Sequence, residues 1–398
     1  MKKRILIVSS SLNMGGAQKM ISNITMTLPD DYEADILINS DQNIQFPYKG
    51  NIISLDIPEP KNRRSLFYQG RVFLKRLKYM SELKKRNHYK ACISLLDSAN
   101  VANILTGKKY CRVIITSVKY MSWESKTPVY KYIVFPCIRL FYNHATCIVA
   151  QNIAIRDDLI ANFGVRKDLF KVIYNGIDSG SIEELAALPL QPEEDYFMKD
   201  KTIITAGRMS YAKGQWHLVR AFTEVLKKVP DARLVIFGIG ELREYLERLV
   251  KDYHIEDSVI IRGFNNELDK YISKSAVFAF PSMLEGMPTV LLEALACATA
   301  VVVTDFRSGA REIMDYPMEG EIKENTLTEY GVITPLCSGV MHEADVALEQ
   351  NESFLAEALV EMLQNETLRK YYEKRGKERS EYFDMKNLMK EWLDIING

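Results

Sequence analysis

The chain has 398 residues, of which 47% are hydrophobic and 26% charged, and its 52 Lys and Arg balance its 52 Asp and Glu. This composition excludes a disordered chain, and the length predicts two domains, because a domain usually has about 100–200 residues. The six cysteines form no C-x-x-C pair, which argues against a zinc ribbon or a disulfide framework and favours a reducing compartment. No run reaches the roughly 20 apolar residues that a membrane-spanning helix requires.

Short β-branched runs alternate with helical segments along the whole chain. The first run, RILIVSS, is too short in its apolar part for a signal peptide, so we predict a first strand. The first half continues with ADILIN, KACISLL, RVIITSV, TCIVAQ and the candidate strand and turn KVIYNGID, and the second half contains TIITAG, ARLVIFG, SVIIRG, VFAFPS, AVVVTD and GVITP. The alternation predicts an α/β fold of two Rossmann-like, doubly wound parallel-sheet domains that bind ligands in the cleft between them. We place the first domain at residues 1–182, an acidic linker at 183–200 and the second domain from 201 onward.

The balanced net charge conceals two oppositely charged halves. Residues 1–182 carry a net charge of +13 and the remainder carries −13, which suggests an anionic partner for the first half. The basic segment 61–90 has apolar residues at helical spacing, so it predicts an amphipathic helix that either lies on an anionic membrane or packs on the domain with solvated lysines. Aromatic and basic residues mix again in 123–142. The candidate membrane and acceptor patch comprises Arg63, Arg64, Arg71, Lys75, Arg76 and Trp123. No recognition motif for nucleic acid accompanies this charge.

The turn after VFAFPS has the features of a phosphate site. Gly286 lets the backbone approach a ligand, and Pro288 suits the first position of a helix, whose free amides would bind phosphate. Glu285 and Glu293 flank the turn, and carboxylates beside an anion site suit the hydroxyl groups of a ribose or a sugar. Taken alone, two such glutamates are more often solvated charges at a helix end.

Three further elements follow strands. The loop 207–214 places Arg208 and Lys213 at the carboxyl end of a strand, where the two cations suit a diphosphate, although loop cations are most often simply exposed. Gly15 and Gly16 follow the first strand, and we interpret 238–240, GIG, as a tight turn. The sequence contains no Asp-x-Asp, Walker loop, H-E-x-x-H or G-x-S-x-G motif, so we expect neither a metal site nor a serine nucleophile.

These motifs, in this order and with Asp305 and the run SGAREIM, resemble the family 4 retaining glycosyltransferases of the GT-B fold. The resemblance implies that Arg208 and Lys213 hold the donor diphosphate together with Gly16 and the turn residues Met287, Pro288 and Thr289. It implies that Glu293 binds the ribose and that Glu285, with Gly286, contacts the transferred sugar and acts in catalysis. Lys119 stands where many members have a histidine, so it is a candidate catalytic residue.

The resemblance also predicts the activity. We expect a retaining transferase that uses a sugar nucleotide, with UDP the expected carrier of a hexose or N-acetylhexosamine, and that needs no metal ion or other cofactor. The acceptor would be a lipid-linked or surface glycan such as a polyprenyl diphosphate, at the cytoplasmic face of the cell membrane. An epimerase of the same fold and a non-catalytic sugar-nucleotide-binding protein remain alternatives. The C-terminal domain would span 201–365, and the helices of 366–398 would cross back to the first domain.

Overall fold

The computed structural model describes residues 2–13, 15–57, 66–195, 197–198, 200–306 and 308–398. The chain divides into two compact units, the first formed by Met1–Gly176 with Met385–Gly398 and the second by Ile177–Asp384. Within the described ranges, none of the helices combines the length and the apolar character that a bilayer span would need.

The first unit is built on a seven-stranded parallel sheet. Its strands are β1 (Lys3–Val8), β2 (Tyr32–Ile38), β3 (Asn51–Ser54), β4 (Ala91–Leu95), β5 (Arg112–Ser117), β6 (Cys147–Ala150) and β7 (Phe170–Val172). They lie in the order β3-β2-β1-β4-β5-β6-β7, and Ile5 of β1 is in register with Ala34 on one side and Ala91 on the other. The helices between them are α1 (Gly16–Thr27), α2 (Leu66–Arg86), α3 (Asp97–Leu105), α4 (Phe135–Phe141) and α5 (Ile153–Phe163).

The second unit repeats this arrangement. Its strands are β8 (Thr202–Ala206), β9 (Arg233–Phe237), β10 (Val259–Arg262), β11 (Val277–Phe280), β12 (Ala300–Thr304), β13 (Thr326–Leu327) and β14 (Val332–Thr334), in the order β10-β9-β8-β11-β12-β14-β13. Its helices are α6 (Ser179–Ala186), α7 (Pro192–Asp195), α8 (Gln215–Lys228), α9 (Arg243–Asp252), α10 (Leu268–Ile272), α11 (Thr289–Ala296), α12 (Ala310–Ile313), α13 (Gln350–Gln364) and α14 (Glu366–Glu381). The central strands are buried along their length because helices cover both faces.

The predicted fold class is confirmed, with two additions at the sheet edges. The strands β3 and β13 were not expected from the sequence. β3 has four residues and none of them is fully buried, while β13 has two residues and pairs antiparallel to β14. Such short edge strands lack the buried hydrophobic run by which a central strand is recognised.

The predicted domain boundaries differ from those of the structure. The first stretch of the first unit ends at Gly176 rather than at 182, and the expected linker 183–200 belongs to the second unit. There α6 packs on α10, where Lys274 Nζ donates a hydrogen bond of 2.8 Å to the carbonyl of Ala186 and Lys270 Nζ lies 3.1 Å from a carboxylate oxygen of Glu194. This segment is therefore attached to the second unit, through the Ala186 carbonyl and the Glu194 carboxylate, and is not a free linker.

Only the last helix returns to the first unit. Helix α14 packs on α11 and β12 in the second unit, which corrects the prediction for residues 366–384. The following helix, α15 (Met385–Asn397), packs against α1, and its Trp392 is buried among core residues of β1, β2 and β4. Tyr32 Oη donates a hydrogen bond of 2.8 Å to Asn397 Oδ1 at the end of this helix.

Candidate active site

The loop after β8 and the turn after β11 are joined at the carboxyl edge of the second sheet. The amide of Met283 donates a hydrogen bond of 2.8 Å to the carbonyl of Ala212. Gly214 has φ +57°, and a Cβ at this position would lie 2.3 Å from the carbonyl oxygen of Pro281. Glycine is therefore required where the loop meets the turn. The two segments face each other at the point where the strand order reverses, which is the usual ligand position of a doubly wound sheet.

The joined segments bring Lys213 and Glu285 together. Lys213 Nζ lies 2.6 Å from Glu285 Oε1, and only 19% and 14% of the two side chains are exposed. Ser282 Oγ donates a hydrogen bond of 3.0 Å to the same carboxylate oxygen. Lys213 Nζ also lies 5.0 Å from the ring centroid of Phe280. A largely buried cation and carboxylate thus share one small region, where their interaction with a ligand is stronger than at an exposed surface.

The end of β12 supports the turn that carries Glu285. Ser308 Oγ donates a hydrogen bond to the carbonyl of Glu285, and Thr304 Oγ1 donates one of 2.6 Å to the carbonyl of Ser282. These three hydroxyl residues were not predicted from the sequence. Ser308 lies in the SGAREIM run, whereas Ser282 and Thr304 each come directly at the end of a buried strand, a position that could have identified them.

The helix after this turn begins one residue later than predicted. Pro288 is the N-cap residue and not the first helical residue, and α11 starts at Thr289 without a side-chain cap. Gly286 is partly exposed and Met287 is buried. Glu293 lies in the second turn of the helix and is 5% exposed, so it is a buried carboxylate rather than a solvated helix-end charge.

The remaining predicted donor and catalytic residues lie outside the contact between Lys213 and Glu285. Arg208 is exposed on the same loop as Lys213. Gly16 begins α1, and Lys119 follows β5, both in the first unit. Lys119 Nζ donates a hydrogen bond of 2.8 Å to Tyr130 Oη and lies 5.3 Å from the centroid of that ring. Over the described ranges, no group of three or more His, Cys, Asp or Glu side chains is placed to hold a metal ion.

The structure corrects the candidate membrane and acceptor patch. Arg63 and Arg64 lie outside the described residues. Arg76 is buried, with hydrogen bonds to Ser98 and Asn39, and Lys75 donates to the carbonyl of Leu55. These two side chains face the protein because α2 packs on the sheet along the side that carries them. Arg71 and Trp123 are exposed, as expected for a surface patch.

Both halves of the chain match known families. Residues 14–180 match the model of Glycosyltransferase Family 4, and residues 190–326 match Glycosyl transferases group 1. An N-acetylgalactosamine-N,N'-diacetylbacillosaminyl-diphospho-undecaprenol 4-alpha-N-acetylgalactosaminyltransferase of Campylobacter jejuni is 30% identical, with 98% of both chains covered. An uncharacterized glycosyltransferase of Methanocaldococcus jannaschii is 30% identical, covering 76% of this chain and 78% of the relative.

A solved structure agrees with the fold. The Anabaena Alr3699/HepE structure in complex with UDP and glucose has a TM-score of 0.73 and 18% identity, and 98% of each chain is covered. Of the three functions considered from the sequence, the relatives support the transferase. The chain therefore belongs to the GT-B glycosyltransferases of the group 1 and family 4 type.

Proposed function

We propose that the protein is a retaining glycosyltransferase that moves a hexose or N-acetylhexosamine from UDP to a lipid-linked or surface-polysaccharide acceptor, without a metal ion. The observation that carries the proposal is the contact between Lys213 and Glu285 at the strand-reversal point of the second sheet. A cation and a carboxylate in contact suit a sugar diphosphate, in which an anionic bridge adjoins a hydroxyl-rich ring.

The donor would be held by charge and hydrogen bonding together. Lys213 and Arg208 would bind the diphosphate oxygens, and the start of α11 at Met287, Pro288 and Thr289 would add backbone amides. Glu293 would accept the ribose hydroxyls. UDP is supported as the carrier by the Anabaena structure, which contains UDP.

The same cations would act in the reaction. As the anomeric C–O bond breaks, negative charge develops on the departing diphosphate, and Lys213 and Arg208 would stabilise it in place of a divalent ion. An acceptor hydroxyl that attacks from the leaving-group face would pass its proton to the departing phosphate, so that the anomeric configuration is retained. Glu285 would orient the sugar hydroxyls, and Lys119 would contribute a charge or hydrogen bond from the first unit.

The acceptor is proposed from the first unit and the relatives. The Campylobacter relative is named for an undecaprenyl diphosphate-linked acceptor. The net charge of +13 over residues 1–182 is complementary to such an acceptor and to an anionic membrane surface. We therefore place the enzyme at the cytoplasmic membrane face as a peripheral protein.

The proposed membrane face combines apolar and basic side chains of the first unit. On α2, Phe67 is 84% exposed and Leu74 is 67% exposed, and the exposed Arg71 and Lys78 alternate with them at helical spacing. The helical stretch that includes α4 adds the exposed Val129, Tyr132, Ile133 and Leu140. Phe73 of α2 packs against the core cluster that contains Ile138 of α4, so the two helices belong to one side of the unit.

The test replaces the two residues of the contact. Lys213→Ala should weaken UDP binding about tenfold or more, because a charge-assisted hydrogen bond contributes about 1.5–3 kcal/mol. Glu285→Gln should abolish most turnover while UDP affinity is kept or increased, since Lys213 loses its protein partner. Calorimetric titration with UDP and a transfer assay with UDP-sugars measure both effects, and Lys228→Ala, an exposed lysine of the same unit, is the matched control.

The assay also tests the finer parts of the proposal. A product with the same anomeric configuration as the donor, and full activity in EDTA, are the expected results. Inverted configuration would contradict the retaining mechanism, and dependence on magnesium would contradict the role of the cations. Unchanged UDP affinity in Lys213→Ala would remove the proposed donor site.

A further inference from the structure

The first unit contains a pocket of about 180 Å³ at the carboxyl edge of its sheet. Ser10 follows β1, Asn39 follows β2, and Leu96 follows β4, and all three line it. Successive strands are added to one side of β1 as far as β3, and from β4 onward they are added to the other side. The pocket lies at this reversal of the strand order, which is the position at which doubly wound sheets bind ligands. Helix α2 closes one side with Arg76, and α3 begins at the other.

Arg76 is a buried cation with an unused donor. It is 3% exposed, and its Nη1 and Nη2 atoms donate hydrogen bonds of 2.9 Å each to Ser98 Oγ and Asn39 Oδ1. Its Nε is buried without a hydrogen-bond partner. Both of the acceptors that the structure describes for this guanidinium, a hydroxyl and an amide oxygen, are neutral. A buried charge that meets only neutral partners is costly unless a ligand completes it.

The neighbouring buried cation on α2 shows what a purely structural role looks like. Lys84 Nζ donates to the carbonyl and the Oδ1 of Asn103, at 2.9 and 2.7 Å, and to the carbonyl of Gly107 at 3.5 Å. All three ammonium protons therefore have protein acceptors. Burial lowers the pKa of Arg76 to about 10, so this side chain is still cationic at neutral pH. Of the two, only Arg76 keeps an unsatisfied donor, and it lines a pocket.

The start of α3 adds a second positive feature. Its N-cap residue Leu96 has φ +74°, a strained conformation for leucine, and contributes no side-chain cap. Ser98 and Ala99, in the first turn, line the pocket. The acid of this turn, Asp97, accepts a hydrogen bond of 3.4 Å from Tyr142 and is not among the lining residues. The positive end of the helix dipole and Arg76 thus border one space, and none of its described lining residues is a carboxylate.

We propose that this pocket binds the diphosphate of the lipid-linked acceptor, with the guanidinium of Arg76 forking onto phosphate oxygens. The inference rests on the proposed function and deepens it by naming the residue that holds the acceptor. Guanidinium groups bind phosphate oxygens in pairs, and hydroxyl groups such as those of Ser10 and Ser98 suit the same ligand.

The position of α2 favours a lipid over a free anion. Its inner side carries Tyr68, Val72 and Arg76 at the pocket, whereas its outer side exposes Phe67 and Leu74. One helix therefore borders both the proposed membrane face and the anion pocket, which suits a ligand with an apolar tail and a charged head.

The experiment measures anion binding by calorimetry in the full-length Lys213→Ala protein, so that the second unit does not compete. The probes are farnesyl diphosphate, below its micelle concentration, and inorganic pyrophosphate. Arg76→Met should raise the Kd for farnesyl diphosphate about tenfold or more. Arg76→Lys, which keeps the charge, should raise this Kd less. Lys85→Met, which replaces an exposed lysine of the same helix, should leave the Kd unchanged.

Thermal unfolding separates a binding defect from a folding defect. Arg76→Met removes an uncompensated buried charge, so its Tm should equal or exceed that of the parent protein. Equal affinity of Arg76→Met and its parent for both probes would overturn the site. Binding of inorganic pyrophosphate alone would overturn the lipid as its ligand. If Lys213→Ala leaves UDP affinity unchanged while Arg76→Met still weakens binding of the probes, the proposed donor site is wrong and the proposed acceptor pocket is supported.

Discussion

The glycines of 238–240 support the loop 207–214, which carries Lys213, through close contacts that a side chain would prevent. A Cβ at Gly238 would lie 2.0 Å from the carbonyl oxygen of Gly207, and the residue has φ +143°. The amide of Met209 donates a hydrogen bond of 3.0 Å to the carbonyl of Ile239 in the same segment. This segment therefore packs closely on the backbone of the loop that carries Lys213.

Gly238→Ala should therefore damage the loop. We expect a loss of about 1–3 kcal/mol of stability, a fall in Tm of roughly 2 °C or more, and weaker UDP binding, because the loop must move away from the new methyl group. Differential scanning fluorimetry and UDP titration measure these effects. Gly180→Ala is the control, since its Cβ would meet only Asp178 Oδ1, at 3.5 Å. A Gly238→Ala protein with unchanged Tm would contradict this account.

The buried cations of α2 mark a limit of sequence interpretation at the residue scale. Val72, Arg76, Met80 and Lys84 follow one another at intervals of four and are all buried. Arg76 was nevertheless predicted in the exposed patch because of its charge, since arginine is rarely buried without a partner. The positions of the proposed donor-binding residues were easier to predict, because strand–loop motifs fix their place at the sheet edge. Their distances, such as the contact of Lys213 with Glu285, depend on loop packing that spacing does not reveal.

Helices α8 and α13 are joined by a fully buried ionic cluster. Glu352 Oε1 lies 2.7 Å from His217 Nδ1 and 2.9 Å from Arg220 Nε, and all three side chains are inaccessible to solvent. Burial by itself raises the pKa of the Glu352 carboxyl, but hydrogen bonds from His217 and Arg220 outweigh burial and hold the pKa below its usual value. Arg220 also donates to the carbonyls of Glu343, Val346 and Ala347. The cluster therefore holds the segment before α13 as well as the helix.

Glu352→Gln should lower the free energy of unfolding by about 3–5 kcal/mol at pH 7, because Arg220 would be left without a buried counter-charge. Since the folded-state pKa is lowered, the stabilisation is present above the ordinary value of 4.5 and is lost as the pH falls through the lower folded-state value. Urea unfolding from pH 7 to acid should show the difference between the two proteins shrinking below that value. Glu357→Gln, on the exposed side of α13, is the control. Equal stability of the variant and the parent at pH 7 would exclude the role of this pair.

The central elements of both sheets were predictable because each is a buried hydrophobic run followed by an amphipathic helix. The segment 183–200 was not, since its role depends on partners far away in the sequence. Glu194 pairs with Lys270 and accepts a hydrogen bond from Tyr271, and α6 and α10 pack together. Acidic residues and prolines are typical of linkers, and only the fold shows which basic side chains they meet.

The two units share the order of their first five strands, and each has a candidate binding region where that order reverses. In the second unit Lys213 and Glu285 lie there, and in the first unit the pocket of Arg76 does. The fold and its repeated rhythm were predictable from sequence, whereas the exposed surface of the whole molecule was not. An amphipathic pattern shows that one side of a helix is apolar, but not which residues the neighbouring elements leave uncovered.

The membrane face is tested by replacing its apolar side chains rather than its cations, because Lys75 and Arg76 are bonded within the protein. The double variant Phe67→Ser/Leu74→Ser should bind vesicles containing phosphatidylglycerol about tenfold or more weakly, since a buried large side chain contributes about 1.5–3 kcal/mol. Flotation measures the bound fraction. Leu327→Ser, which changes an exposed leucine of the second unit, is the control. Retained flotation of the double variant would leave α2 as a solvated surface helix.

The return of α15 to the first unit affects how the protein is made. The whole second unit lies in the sequence between β7 and this helix, yet Trp392, Leu388 and Ile396 belong to the core around β1 and β2. A ribosome therefore releases the body of the first unit early and its final core residues last. Until α15 has been synthesised, the first half lacks part of its apolar core, so we expect the first unit to complete its folding after the second unit has emerged.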